Sequence, residues 1–106
     1  MSSTFEIEPL AGGSGFRLVG ELDLATAPQL ERELAEADAS DGLVLDVSGL
    51  TFIDSSGCTT MLSYLRGVTG ETRLVLANPS PGLFRTLELM GVPTHPRIEI
   101  RSMPVS

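Results

Sequence analysis

Two adjacent hydroxyls, Ser55 and Ser56, lie between Asp54 and Gly57, directly after an apolar stretch that begins at Leu43-Val-Leu-Asp-Val47. An apolar strand that passes through a tight loop into a helix presents such hydroxyls at the helix start. There the free backbone N–H groups and the positive end of the helix dipole favour an added anion. The chemistry this arrangement suits is the attachment of a phosphate. The same residues also fit a plain helix cap, in which Asp54 or Ser55 satisfies the first free N–H groups at a gain of about 1 kcal/mol.

Composition removes many other chemistries. All seven basic residues are arginine, and the sequence has no lysine. A P-loop, a protein kinase and Schiff-base catalysis each depend on a lysine amine, so none can operate here. The surroundings of Ser56, Asp54-Ser-Ser-Gly-Cys58, lack the G-x-S-x-G elbow of a serine hydrolase, and no motif ties Ser56 or Cys58 to His95 in the loop Pro93-Thr-His-Pro96. No catalytic residues, metal ligands or cofactor are expected, and the chain is not read as an enzyme.

The formal charge of −7 opposes attraction to nucleic acid or to anionic lipid. A single cysteine makes no internal disulfide, which is compatible with a reducing cytosol. Met1-Ser-Ser-Thr4 has no basic start, and no apolar run approaches about 18 residues. The expectation is a soluble cytoplasmic protein that binds neither nucleic acid nor membrane. Cys58 reads as a small buried residue, with a thiol pKa lowered by the helix start as the minor alternative.

The elements that must position the serines follow from periodicity. Phe5 and Ile7 alternate with Glu6 and Glu8, and Ala11-Gly-Gly-Ser-Gly15 separates them from Phe16–Gly20, which predicts an antiparallel hairpin. Thr26, Pro28 and Gln29 give a capping-box signal for a first helix that carries Leu30, Leu34 and Ala37 on one face and ends before Ser40-Asp41-Gly42. Leu43, Val44, Leu45 and Val47 predict a short strand at the centre of the sheet. Cys58, Met61, Leu62, Leu65 and Val68 recur with helical spacing until Gly67 and Gly70 weaken the pattern, and Arg73–Ala77 reads as another strand.

Ser80-Pro81 opens a third helix with Leu83, Phe84, Leu87 and Met90 on one face, closed by Gly91 with Pro93 beyond, and Ile98, Ile100 and Met103 supply a last edge strand. One domain over residues 1–106 is expected, with a mixed, mostly parallel α/β sheet opened by the hairpin and three or four helices. Asp23 and Asp46 fall at or near the carboxyl ends of two strands, where loops of an open α/β sheet collect with Asp54. They read either as solvated turn carboxylates or as an acidic rim around the hydroxyls.

Thr51-Phe-Ile-Asp-Ser-Ser-Gly57, with Val44-Leu-Asp-Val-Ser-Gly-Leu50 before it, resembles the phosphorylation motif of STAS-domain anti-sigma factor antagonists. The likeness extends over almost the whole chain and includes Gly20-Glu-Leu-Asp23. It implies a STAS fold and a partner anti-sigma factor that is also a serine kinase. The unphosphorylated form binds that partner and frees the sigma factor; phosphorylation releases it, and a phosphoserine phosphatase resets the switch.

Carried onto this sequence, the acceptor is Ser56, with Ser55 as the second candidate. Asp23, Asp54, Ser55, Ser56, Gly57 and Thr59 become the partner-binding residues. In this division Asp54 or Ser55 caps the helix, Ser56 points outward, and Gly57 keeps the surface beside it open. The family usually carries Leu-Gly after the motif, whereas this chain has Cys58-Thr59.

Two alternatives carry different functions. One is an unphosphorylated STAS scaffold or transporter-associated module. The other is a receiver domain phosphorylated on Asp46, which the absence of lysine and of an early acidic pair disfavours.

Overall fold

The computed structural model describes residues 5–12, 15–37, 42–68 and 72–104. Its elements run in the order β1 (Phe5–Pro9), β2 (Gly15–Leu22), α1 (Ala27–Glu36), β3 (Leu43–Ile53), α2 (Ser55–Gly67), β4 (Leu74–Ala77), α3 (Pro81–Leu89), a 3-10 turn (Val92–Thr94) and β5 (Ile98–Arg101). The five strands form one sheet in the order β1-β2-β3-β4-β5. β1 pairs antiparallel with β2, and the remaining pairs are parallel. The expected hairpin and parallel sheet are both present. Parts of three expectations, namely the centre of the first glycine turn, the end of the first helix near Ser40 and Asp41, and the break at Gly70, lie outside the described residues.

Each βαβ unit advances one strand in the same direction, and right-handed crossovers then stack all three helices on one face of the sheet. Burial agrees with that layering. Leu43, Leu45 and Val47 of β3, Leu74 and Leu76 of β4 and Ile98 of β5 share one parity and are all buried. They meet Leu30 and Leu34 of α1, Met61 and Leu65 of α2, and Leu83 and Leu87 of α3 in a single core. Phe84 and Met90, expected on the inner face of α3, sit at its margin, 36% and 37% exposed.

β3 corrects the sequence reading most. It does not stop near Val47 but continues to Ile53, with the Ser48-Gly49 break absorbed by register shifts against β2. Asp46 therefore lies mid-strand, seven residues and about 20–25 Å from the strand end. It is only 1% exposed. Its Oδ2 accepts from Arg17 Nε at 3.0 Å and its Oδ1 from the Ser48 N–H at 3.0 Å. Burial pushes its pKa up, but the Ser48 bond and the Arg17 guanidinium more than offset this, and the net shift is downward. Asp46 is a structural ion-pair partner on the sheet face. It belongs neither to a rim around the serines nor to a receiver-type acceptor site.

Candidate functional site

The Asp54 N–H donates to the Leu22 carbonyl at 3.2 Å, which brings the loop after β2 and the loop after β3 to the same end of the sheet. Asp54 is the N-cap of α2. Its Oδ1 accepts from Ser56 N at 2.9 Å and Gly57 N at 3.2 Å, while its carbonyl accepts from Cys58 N at 3.2 Å. The cap thus belongs to Asp54 and not to Ser55. Most of the helix-start N–H groups that could have faced a phosphate are already engaged.

Ser55 is exposed and Ser56 half-buried, and neither hydroxyl makes a hydrogen bond among the described residues. Both are chemically available. Gly57 faces the other way: it is buried, and a Cβ there would stand 2.7 Å from Leu22 Cγ and 2.9 Å from Ile53 Cγ1. Its lack of a side chain lets α2 start tight against β2 and β3, and it does not keep a surface open as expected from sequence. Cys58 is also buried, and burial first, then the nearby Asp54 charge, pushes its thiol pKa up, so it is not an activated thiol. Its sulfur packs 3.1 Å from that of Met90.

Asp23 is used within its own turn. Its Oδ1 accepts from Ala25 N at 3.0 Å and Thr26 N at 3.1 Å. The Thr26 hydroxyl accepts from Asp23 N at 2.9 Å and donates to the Glu21 carbonyl at 2.8 Å. Thr26 precedes α1 as expected, but it makes no side-chain cap on that helix, so the capping box is replaced by this closed Asp23–Thr26 pair.

Between the starts of α1 and α2 lies an open groove of about 320 Å³. Leu24, Ala27, Pro28 and Glu31 form one wall, and Ser55, Ser56, Thr59 and Thr60 the other. Thr59 is exposed on the rim, whereas Thr60 is buried and donates to the Ser56 carbonyl at 3.1 Å. Leu24, Pro28 and Glu31 were not singled out as site residues from sequence, where Pro28 marks only a helix start. Of the sequence-derived set, Ser55, Ser56 and Thr59 line this groove, while Asp54 caps the helix beside them and Asp23 and Gly57 are not among its lining residues. His95 is not among them either, since it precedes β5 at the opposite end of the sheet, where its Nδ1 accepts from Arg97 N at 3.1 Å. Among the described residues no group of three or more potential ligands could hold a metal.

The sheet with its hairpin and one-sided helices, and the two serine hydroxyls without a partner among the described residues at a surface groove, define a small α/β domain. The chain belongs to the STAS domain family: residues 12–100 match the family model described as "Mlab, STAS domain". It is similar to an anti-sigma-B factor antagonist of Listeria monocytogenes, with 30% identity over 78 residues covering 71% of this chain and 68% of the relative. It is likewise similar to an anti-sigma F factor antagonist of Lysinibacillus sphaericus, with 32% identity over 82 residues covering 72% and 68%. A crystal structure of an anti-sigma factor antagonist from Mycobacterium paratuberculosis superposes with a TM-score of 0.72 at 28% identity, over 93% of this chain and 90% of that one.

Proposed function

We propose that the chain is an anti-sigma factor antagonist controlled by serine phosphorylation. Its unphosphorylated form binds an anti-sigma factor with serine kinase activity and so frees a sigma factor. Phosphorylation at Ser56 releases the partner, and a phosphoserine phosphatase restores the binding form. The kinase supplies ATP and magnesium; this chain contributes a substrate hydroxyl and a docking surface in the cytoplasm, and is not itself an enzyme.

The observation that carries this reading is the pair of unpartnered hydroxyls on a rigid, Asp54-capped helix start at the edge of a groove. The names of the sequence relatives point the same way. A phosphate there adds about −1.5 to −2 charges. Asp54, two residues before Ser56, is itself anionic and already holds the Ser56 and Gly57 N–H groups. In a docked interface of about 800 Å² per partner the phosphate is bulky, strongly hydrated and set among carboxylates, so it abolishes the contact without unfolding the domain.

The test is phosphate mapping by mass spectrometry after incubation with a cognate anti-sigma factor kinase and ATP. Phosphoserine at 56 in the wild type and none in Ser56→Ala is expected. Phosphate retained by Ser56→Ala moves the acceptor to Ser55, and no phosphate on the wild type removes phosphorylation from the mechanism.

A further inference from the structure

The turn between β2 and α1 displays Leu24 at 75% exposure. A single exposed leucine is ordinary on a protein surface. This one is held rigidly, because Asp23 Oδ1 takes the N–H groups of Ala25 and Thr26, Thr26 Oγ1 bridges Asp23 N and the Glu21 carbonyl, and the Asp23 carbonyl accepts from Ala27 N at 2.8 Å. It also lines the same groove as Ser55 and Ser56, so a partner seated in that groove meets the leucine and the hydroxyls together.

The groove's chemistry selects its occupant. Ala27 and Pro28 give it an apolar wall, and the charged residue that lines it is the acidic Glu31, with no arginine among the lining residues. Asp54 adjoins Ser55, and exposed Glu21 flanks the turn. A phosphate-bearing or otherwise anionic ligand is repelled by this rim, whereas a polypeptide carrying an apolar pocket beside an arginine or lysine is complementary to it. A volume of about 320 Å³ is also at the small end of ligand cavities, which suits side chains of a docked segment.

The geometry points to Leu24 as the anchor that sets affinity for a protein partner: it enters an apolar pocket of the partner while a partner cation lies along Glu31. This rests on the antagonist reading and adds that recognition is separable from the phosphoacceptor. Asp23 and Thr26 are positioning residues that hold the anchor ready, so little ordering is needed on binding.

The anti-sigma factors of the source organism, purified one at a time, test this by calorimetric titration with the full chain and its variants. Leu24→Ala is expected to weaken Kd roughly 10–100-fold, the value of burying one leucine. Glu31→Arg is expected to weaken it about 10-fold or more. Leu89→Ala, at an 80% exposed leucine on α3 outside the groove, is expected to leave it unchanged. An unaltered thermal midpoint confirms that Leu24→Ala is folded. Wild-type affinity in Leu24→Ala overturns the anchor and leaves the antagonist reading standing, while wild-type affinity in Glu31→Arg overturns the cation contact. Failure of the unmodified chain to bind any anti-sigma factor overturns the antagonist reading and the anchor with it.

Discussion

Asp54 Oδ1 accepts the backbone N–H of Ser56 at 2.9 Å, so the residue that caps α2 also fixes the position of the proposed acceptor. The helix start holds its own carboxylate before any phosphate arrives. Asp54→Ala is expected to lower unfolding stability by about 1 kcal/mol in urea titrations, while Asp54→Asn, which keeps an acceptor oxygen, loses less. Equal losses in the two variants would show that the charge, and not the accepted hydrogen bonds, supports the helix.

Gly57 packs where no Cβ fits, between Leu22 and Ile53. Gly57→Ala is expected to destabilise the fold by about 1–3 kcal/mol, because overpacking outweighs the gain in helix propensity. In a double-mutant cycle with Leu22→Ala the penalty should shrink, since the Leu22 atoms that crowd the Cβ position are removed and only Ile53 Cγ1 remains. Additive losses would place the strain elsewhere.

The Arg17–Asp46 pair predicts a pH dependence of stability. Asp46 has a folded pKa below its ordinary value of 3.8. Its contribution is therefore fully present above that ordinary value and is lost as pH falls through the lower folded value. Unfolding midpoints followed downward from pH 6 should drop more steeply for the wild type than for Asp46→Asn. At neutral pH that substitution is expected to cost about 1–3 kcal/mol through the hydrogen bonds to the charged carboxylate. Parallel curves for the two proteins would remove Asp46 from the acid transition.

The order of elements was legible because period-2 and period-3.6 apolar patterns alternate cleanly along the chain, and Gly91, with φ of 76°, closes the segment after α3 as its position implied. The extent of β3 was not. Ser48 and Gly49 look like a strand end, yet they sit in a strand whose neighbour β2 shifts register to accommodate them. That hidden extension moved Asp46 from a rim to a buried pair.

At the site, the local motif placed Asp54, Ser55, Ser56 and Thr59 together because a helix start needs only nearby residues. Gly57 was misread because its constraint comes from Leu22, thirty-five positions away in sequence. Leu24 was passed over because a lone leucine between the second strand and the first helix carries no periodic signal, whereas Asp23 and Thr26 turn the backbone there and leave it exposed.

In the proposed switch, one negative group at Ser56 turns off the binding surface. The most direct measurement is the affinity of the anti-sigma factor for Ser56→Ala and Ser56→Asp, determined side by side by calorimetric titration. The alanine variant should bind as tightly as the unmodified chain, and the aspartate variant at least about 10-fold more weakly, equivalent to about 1.4 kcal/mol. Equal affinities for the two variants would contradict the switch.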